Sequence, residues 1–461
     1  MSLKDYLASL AGKSVTVIGA GISNRPLILL LAEAGLSVTV CDRSDAAALG
    51  SFYDECAVKG VAFRLGGGYL DGLDGDVIFR TPGMHPFQPA LRAAADNGSI
   101  VTSEMELFLS LCPCRVFAIT GSDGKTTTTT LVSELLKTAG HTVWLGGNIG
   151  RPLLSDVDKM RPEDAAVLEL SSFQLHSMTC SPDVAVITNI SPNHLDVHPD
   201  YQDYIDAKKQ VFLHQKPDAR LVLNLDNDVT ASCAPEAPGA VRWFSRRNTV
   251  EEGAFLREDG MICLADGGGI TEILSAAELL IPGVHNVENM MAAFAAVMGY
   301  VSVEDMRTVA RSFTGVAHRL EKIRVLRGVT YINDSIASSP NRTIAGLACF
   351  PDKVILIAGG KDKGISYDAI GPAICEHVKK LYLTGMTAQV IEDAVKKAEG
   401  YTPGKPEIFR IDGFDEAIRA AAESAGEGDV VLLSPASTSF DRFKNFEERG
   451  NRFRAVVEAL E

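Results

Sequence analysis

The sequence has 461 residues and lacks any apolar run approaching the roughly 18 residues that a membrane-spanning helix needs. Its first residues carry no apolar segment typical of a secretory signal. An excess of positive charge is also missing, because the formal net charge is -15. Non-specific binding to nucleic acid or to an anionic membrane requires a basic face. We therefore expect a soluble, cytoplasmic protein with neither a nucleic-acid nor a membrane partner.

Paired cysteines are lacking as well. The nine cysteines are an odd number and are scattered, with only Cys112 and Cys114 close together. This usage is typical of a reducing compartment rather than of a disulfide framework. No second Cys/His cluster lies nearby, so this pair is interpreted as ordinary thiols and not as a metal site.

The length exceeds what one hydrophobic core usually serves, and about three domains are expected. Short β-rich runs alternate with helical segments, which predicts an α/β fold with mainly parallel sheets covered by helices. A less regular stretch lies between residues 223 and 354, where the alternation resumes. The predicted domains are 1–112, 113–315 and 316–461. The first and last are expected to be Rossmann-like, and the central one to be of the P-loop ATPase type.

The strongest motif is a phosphate loop between the apolar run 116–119 and a predicted helix around 131–139. Glycines allow backbone N–H groups to surround phosphate oxygens, and the helix N-terminus adds partial positive charge. In the same pattern a lysine reaches the terminal phosphates and a threonine holds Mg²⁺. Ile119 occupies the place of the first glycine of the strict pattern, so the loop is a shortened form. The predicted ATP-binding residues are Gly121, Ser122, Asp123, Gly124, Lys125, Thr126 and Thr127.

A second glycine-rich turn follows the first predicted strand, at residues 19–24. Asp42 ends the next strand, so the pair is similar to a dinucleotide fingerprint. Asn24 stands in place of the third glycine, which speaks against a pyrophosphate of the NAD type. A bound nucleotide diphosphate and a structural turn without ligand both remain open. Asp42 either binds a ribose hydroxyl or caps a strand end.

The central domain adds Glu169 at a strand end and His194 in a loop after another strand. Ligands of open α/β sheets collect at the carboxyl ends of the strands, so these groups could share Mg²⁺ with the phosphate loop. Lys208, taken alone, is interpreted as a solvated lysine on a helix.

Together these motifs and others downstream resemble the Mur ligase family, ATP-dependent enzymes that add amino acids to the peptidoglycan precursor. The resemblance rests on the segments 121–128, 169–175, 188–196, 283–289, 318–321, 333–335, 359–364 and 434–443. Segments 169–175 and 444–450 resemble the branch that adds D-glutamate. The resemblance implies an ADP-forming ligase that joins D-glutamate to UDP-N-acetylmuramoyl-L-alanine, works as a monomer, and uses ATP and two Mg²⁺ ions.

The resemblance also implies roles for individual residues. Catalytic roles fall to Lys125, Lys208, His194 and Asp334, and metal ligation to Thr126, Glu169, His194 and Lys208. Lys208 is expected to be carbamylated, which turns an amine into an anionic oxygen ligand. The implied UDP-substrate contacts are Ile22, Ser23, Asp42 and Asn148. Further ATP contacts are Asn286, Asn289, Arg319, Asp334 and Lys363, and the amino-acid contacts are Arg342, Ser439 and Phe446.

One position departs from the pattern: Ile336 stands where the D-glutamate branch usually has lysine. We hypothesise that Arg342, farther along the same loop, supplies the missing positive charge, because a guanidinium can hold a carboxylate with two hydrogen bonds.

Three alternatives remain. Another Mur-type ligase with a different acceptor would share the phosphate loop but is expected to lack the Ser-Ser-Phe-Gln-Leu string. A nicotinamide oxidoreductase would rely on the first domain alone. A non-catalytic nucleotide-binding protein would not need Glu169, His194 and Lys208, which are all present.

Overall fold

The alternating pattern of the sequence folds into three β-sheets flanked by helices in the computed structural model, which describes residues 1–193, 197–281, 283–362 and 366–461. The chain forms two units, Met1–Phe313 and Thr314–Glu461. Most strand pairs are parallel, and the predicted α/β class is confirmed. The finer three-domain boundaries stay a prediction. Within the described ranges, no helix combines the length and the apolar character that crossing a membrane requires.

The first sheet is entirely parallel, in the order β3-β2-β1-β4-β5. Its strands are β1 (Ser14–Ile18), β2 (Ser37–Asp42), β3 (Ala62–Leu65), β4 (Val77–Phe79) and β5 (Ile100–Thr102). The accompanying helices are α1 (Leu3–Ser9), α2 (Asn24–Glu33), α3 (Ala46–Leu49), α4 (Ser51–Val58), α5 (Pro89–Asp96) and α6 (Glu104–Leu111). The strand order reverses at β1, and the crevice beside such a reversal is where open α/β sheets bind ligands.

The contacts of Asn24 explain why the turn after β1 does not need a third glycine at this position. Its side chain is buried, and Nδ2 donates hydrogen bonds to the carbonyl oxygens of Ile18 at 2.9 Å and Gly19 at 3.1 Å. The amide therefore fastens the start of α2 to the end of β1.

The second sheet has nine strands in the order β14-β13-β12-β11-β10-β9-β6-β8-β7. The strands are β6 (Arg115–Thr120), β7 (Val143–Gly147), β8 (Ala165–Glu169), β9 (Val184–Ile187), β10 (Arg220–Asn224), β11 (Ala240–Ser245), β12 (Glu252–Leu256), β13 (Met261–Asp266) and β14 (Ile270–Ser275). The helices are α7 (Lys125–Thr138), α8 (Ser172–Leu175), α9 (Tyr201–Leu213), α10 (Asp228–Ala231), α11 (Val284–Val297) and α12 (Val303–Ser312), with 3₁₀ turns at Leu154–Lys159, Ala234–Glu236 and Ala276–Glu278.

Part of the stretch that the sequence presents as less regular is in fact ordered sheet. Strand β11 pairs in parallel with β10 and β12, and β12, β13 and β14 form an antiparallel extension. Strands β6, β8 and β9 are buried except for Arg115 at the start of β6, and each is flanked by strands on both sides, which explains their long apolar runs.

The third sheet belongs to the second unit and has the order β15-β16-β20-β17-β18-β19, parallel except for the β15–β16 pair. Its strands are β15 (Glu321–Leu326), β16 (Val329–Asn333), β17 (Val354–Ala358), β18 (Val378–Leu383), β19 (Glu407–Arg410) and β20 (Val430–Leu433). Its helices are α13 (Pro340–Leu347), α14 (Ile370–His377), α15 (Ala388–Lys397), α16 (Phe414–Glu423) and α17 (Phe446–Glu458).

Arg80, just after β4, is a fully buried arginine that ties the first sheet to the second. Its guanidinium donates to Ser177 Oγ at 2.9 Å, to the Met84 carbonyl at 3.2 Å and to the Phe173 carbonyl at 3.0 Å. Burial lowers the pKa of Arg80 to about 10, so the group stays charged at neutral pH. These acceptors therefore compensate for the hydration that the guanidinium has lost.

Replacing Arg80 by alanine should destabilise residues 1–313 by about 2–4 kcal/mol, because buried acceptors lose their donor and a cavity remains. The loss in free energy of unfolding is measured by urea denaturation, with circular dichroism as the signal. Arg161→Ala, at an exposed arginine, is the matched control and should change stability by less than about 0.5 kcal/mol. Equal midpoints for Arg80→Ala and the control would contradict this role.

Candidate active site

The phosphate loop connects β6 to α7, and its two glycines have no room for a side chain. A Cβ on Gly121 would lie 1.9 Å from Thr188 Oγ1, and one on Gly124 would lie 2.2 Å from Asn289 Oδ1. Their φ angles, 148° and 78°, also favour glycine. The loop therefore has the backbone shape and the helix N-terminus that suit a phosphate group.

Lys125 begins α7 and folds back over the loop. Its Nζ donates to the carbonyl oxygens of Gly121 and Ser122, each at 2.8 Å. The side chains of Lys125, Thr126 and Thr127 are half-buried, whereas Asp123 is exposed. The first turn of α7 thus presents an ammonium and two hydroxyl groups beside the loop.

The segment after β9 holds the loop in place. Ser122 N–H donates to the Asn189 carbonyl at 2.9 Å, and Asp123 N–H donates to Asn189 Oδ1 at 3.0 Å. Thr188 Oγ1 in turn donates to the Asp123 carbonyl at 2.6 Å. The sequence motif 188–196 includes this segment, but no sequence pattern marks Asn189 as a residue that shapes the loop.

Asn286 and Asn289 lie on α11, which packs against α7. Asn289 Oδ1 accepts a hydrogen bond from Thr128 Oγ1 at 3.3 Å, and its Nδ2 donates to Asn286 Oδ1 at 3.2 Å. The two asparagines are therefore brought to the phosphate loop from a position far along the chain.

Glu169 ends β8, the strand next to β6, and is 2% exposed. Its Oε1 accepts a hydrogen bond from Asn148 Nδ2 at 2.8 Å. Its Oε2 is buried and has no hydrogen-bond partner within the described part of the chain. A buried carboxylate oxygen without a donor is costly unless a cation binds to it, so this oxygen suits a metal ligand.

Lys208 is not a solvated helix lysine, because it is 1% exposed. Its Nζ donates to the Gly121 carbonyl at 2.8 Å and lies 4.6 Å from the centre of the Tyr204 ring. Burial, followed by the charge of Lys125, holds the pKa of Lys208 well below its ordinary value. This shift makes the neutral, nucleophilic form of the amine more accessible than in a solvated lysine.

These residues share one location, at the carboxyl ends of three adjacent parallel strands, β8, β6 and β9. The structure brings together Gly121–Thr127, Asn148, Glu169, Lys208, Asn286 and Asn289. His194 and Lys363, two further predicted site residues, lie outside the described residues.

In the first sheet, the glycine-rich turn after β1 is held by Asp42. One carboxylate oxygen accepts from the Ala20 amide and the other from the Ser44 amide, both at 2.7 Å. Ile22 is 84% exposed and Ser23 is half-buried. Of the two roles considered for Asp42, fastening of the backbone is the one visible in these contacts.

In the second unit, Asp334 follows β16 and is 4% exposed. It accepts hydrogen bonds from Ser434 Oγ at 2.8 Å and from the Leu320 amide at 3.2 Å. Burial raises the pKa of Asp334 to about 6, although the nearby charges of Arg319 and Arg342 act in the opposite direction. Both arginines are exposed, so this corner combines a buried carboxyl with two accessible cations.

Arg342 stands in the first turn of α13, and its Nη1 donates to the Ile336 carbonyl at 3.3 Å. The guanidinium therefore reaches back to the position that lacks a lysine. The contact places the positive charge near residue 336, and its role toward an amino-acid substrate stays a prediction.

Ser439 is buried, and Phe446 is half-buried at the start of α17, where its carbonyl accepts from Ser335 Oγ at 2.8 Å. Sequence reasoning missed Arg449, which is 2% exposed. Its guanidinium donates to Ser335 Oγ at 3.0 Å and to the Ser437 carbonyl at 3.0 Å. Its place in a charged helical segment gave no signal of burial.

Comparison with known proteins shows the family of this chain. Residues 119–297 match the Mur ligase middle domain, and residues 318–437 match the Mur ligase, glutamate ligase domain. The UDP-N-acetylmuramoylalanine–D-glutamate ligase of Acetivibrio thermocellus is 52% identical, over 100% of this chain and 99% of the relative. The same-named ligase of Ruminiclostridium cellulolyticum is 50% identical, over 99% of both chains.

Solved structures show the same fold at low identity. The UDP-N-acetylmuramate–alanine ligase of Thermotoga maritima has a TM-score of 0.54 and 17% identity, covering 97% of this chain and 99% of that one. MurF from Acinetobacter baumannii has a TM-score of 0.55 and 17% identity, covering 78% and 82%.

Proposed function

Since this chain belongs to the Mur ligase family, we propose that it is the member that joins D-glutamate to UDP-N-acetylmuramoyl-L-alanine and converts ATP to ADP and phosphate in the same reaction. The full-length similarity to ligases of that name, at 52% and 50% identity, carries the choice of substrates. The geometry that supports the chemistry is the phosphate loop with a buried lysine and a buried carboxylate beside it.

The phosphate loop, Gly121–Thr127, would bind the phosphates of ATP, with Lys125 neutralising the terminal groups. Asn286 and Asn289 would contact the adenosine part. Arg319, Asp334 and Lys363 are proposed as further ATP contacts. Residues 1–313 support this assignment in two ways: Gly121 and Gly124 leave the loop backbone without a side chain at two positions, and the loop leads into the N-terminus of α7.

Two Mg²⁺ ions are the expected metal cofactors, with Thr126, Glu169 and His194 as their ligands. The unpartnered, buried Oε2 of Glu169 and the oxygen-rich donors fit a hard cation. When bound, Mg²⁺ supplies charge neutralisation for the phosphoryl group that is transferred.

Lys208 would contribute to this site as a carbamate. Its neutral amine can attack CO₂, forming an N–C bond and releasing one proton, and the product is an anion with two oxygens. The low pKa of Lys208 supports this step because only the unprotonated amine is a nucleophile. The new carboxylate-like group would then orient Mg²⁺.

Ile22, Ser23, Asp42 and Asn148 would hold the UDP-linked substrate. The first three belong to or fasten the turn that follows β1, at the point where the strand order reverses. Asn148 is positioned by its hydrogen bond to Glu169.

The reaction begins with activation of the L-alanyl carboxylate, which is a poor electrophile. One of its oxygens attacks the γ-phosphorus of ATP, the bond to ADP breaks, and an acyl phosphate forms. Lys125 reduces the repulsion between the two anions and stabilises the charge that develops on the phosphoryl group.

The amine of D-glutamate then attacks the acyl carbon, and the tetrahedral adduct expels phosphate to leave the amide. The amine must first lose a proton, and its acceptor is Asp334, a group beside His194, or solvent. Asp334, with a pKa of about 6, is largely ionised at neutral pH and able to accept a proton. Arg342, Ser439 and Phe446 are proposed to bind the D-glutamate.

Phosphate release from ATP tests the whole proposal. With UDP-N-acetylmuramoyl-L-alanine and bicarbonate present, release should depend on D-glutamate and not on L-glutamate, L-alanine or diaminopimelate, and a product of matching mass should form. Lys125→Ala is the control for contaminating ATPase and should reduce release by about 100-fold or more. Phosphate release that depends on another amino acid would support an ATP-dependent ligase but assign it a different amino-acid substrate. No release with any acceptor would overturn the function.

Carbamylation of Lys208 is tested with ¹³C-labelled bicarbonate. The wild-type protein should show a carbamate carbon signal in its NMR spectrum, and Lys208→Met should lack it. Lys209→Met alters the next residue, which is only half-buried, and should keep the signal. An identical spectrum for Lys208→Met and wild type would disprove the assignment.

Arg342→Ala should raise the KM for D-glutamate about tenfold, because a charged hydrogen bond to a carboxylate is lost, while the KM for ATP stays within about twofold. Arg342→Lys should recover part of the loss. Arg419→Ala, at an exposed arginine of α16, is the control. Unchanged D-glutamate kinetics for Arg342→Ala would show that the missing lysine is not replaced by this residue.

A further inference from the structure

Three histidines and one aspartate form a cluster apart from the residues assigned above. His85 lies in the loop after β4, His176 directly follows α8, His198 precedes α9, and Asp203 stands in the first turn of α9. Their potential ligand atoms all lie within 4.8 Å of one another. Three separate segments of the chain thus direct nitrogen and oxygen donors to one point.

The Asp203 carboxylate is the centre of this cluster. His198 Nδ1 is 2.6 Å from Oδ2, His176 Nε2 is 2.9 Å from Oδ1, and His85 Nε2 is 3.5 Å from Oδ2. His198 and His176 are within hydrogen-bond distance of the carboxylate, whereas His85 Nε2 is buried and has no hydrogen-bond partner in the described ranges. A buried ring nitrogen is therefore aimed at the carboxylate without a partner, and a bound cation would supply one.

The geometry points to a transition-metal site: we propose that His85, His176, His198 and Asp203 bind one Zn²⁺ ion. Zinc takes four N, O or S ligands in tetrahedral geometry, and bonds of about 2.0 Å place those ligand atoms about 3.3 Å apart. The ring nitrogens of His198, His176 and His85 lie 2.6, 3.0 and 3.5 Å from the single oxygen Oδ2, distances on both sides of that value. All ligand atoms lie within 4.8 Å of one another, so side-chain movements of up to about 1.5 Å would surround the ion.

The surroundings of His198 match those of a metal-bound imidazole. Its second nitrogen, Nε2, lies 3.0 Å from Ser172 Oγ, and the Phe173 ring stacks on it with centroids 5.3 Å apart. Such outer contacts fix the tautomer and the ring orientation of a ligand. His85 is the weakest of the four, because binding through Nε2 requires a proton on Nδ1, which now accepts a 3.3 Å bond from the Phe87 amide.

The site would order the helix that carries Lys208. The Tyr204 ring packs edge-on against His198, 5.2 Å between centroids, and its hydroxyl lies 3.0 Å from Ser122 Oγ. A metal ion here would therefore fix the first turn of α9 against the loop after β4. We expect a closed, structural site, because four side chains complete the shell.

Zinc binding is measured on untagged protein that has been stripped with a chelator and dialysed against excess Mg²⁺, which occupies the proposed Mg²⁺ sites. Wild type should retain about one Zn²⁺ per chain, and Co²⁺ in its place should give the intense visible absorption of tetrahedral coordination. His176→Gln and His198→Asn should each lose at least about tenfold in Zn²⁺ affinity. His214→Gln, at an exposed histidine of the same region, is the control.

Far-UV circular dichroism shows whether each variant is folded, and His85→Gln, in the outer loop, provides a variant that leaves α9 intact. Zn²⁺ should raise the melting temperature of wild type but not of the ligand variants. Failure of wild type to retain Zn²⁺, an octahedral Co²⁺ spectrum, or equal retention by wild type and His176→Gln would overturn the site. None of these readouts depends on ligase activity, so the proposed function is tested separately.

Discussion

The phosphate loop keeps its shape because two of its positions have no room for a side chain. A methyl group on Gly121 would strike the Thr188 hydroxyl, and one on Gly124 would strike the side chain of Asn289. Their absence lets the loop approach both the segment after β9 and helix α11. Asn189 can then hold two loop amides through its carbonyl and its side chain. The missing Cβ atoms are thus the condition for the close approach of the loop to Thr188 and Asn289.

Lys208 and Glu169 are buried ionisable groups beside that loop, and neither is fully compensated by its neighbours. Burial of an unpaired charge costs several kcal/mol, so Lys208 responds with a lowered pKa, while Glu169 retains an unpartnered oxygen. Such groups destabilise a fold and are typical of functional sites. The proposed carbamate and the Glu169 carboxylate together carry two negative charges, which a dication balances. A Mg²⁺ ion held by the proposed ligands would therefore compensate both the unpartnered oxygen of Glu169 and the carbamate formed on Lys208.

Much of this region could be predicted from the sequence because parallel strands place their carboxyl ends at one edge. Glu169 and the phosphate loop each follow an apolar strand, and the rule that ligands collect there was enough to associate them. The strands at residues 240–275 were missed, since β11, β12 and β14 mix polar and apolar residues and lack the continuous apolar run of the buried parallel strands. Lys208 is an instructive case, because helical periodicity alone reads it as solvated, whereas the structure buries it.

The remaining features could not be predicted because they depend on partners that only the fold brings close. Arg449 donates to Ser335, 114 residues away, and no local pattern marks an arginine in a charged helix as buried. Asn24 was noticed as a missing glycine, but its role rests on the two carbonyl oxygens that it binds. The hypothesis that Arg342 replaces the charge missing at Ile336 stays a prediction, and the structure places Arg342 in the first turn of α13 and not in the loop that the sequence suggested. Its contact was nevertheless open to sequence reasoning, because a side chain six positions away can reach the backbone of Ile336 without help from the rest of the fold, as Arg342 Nη1 does.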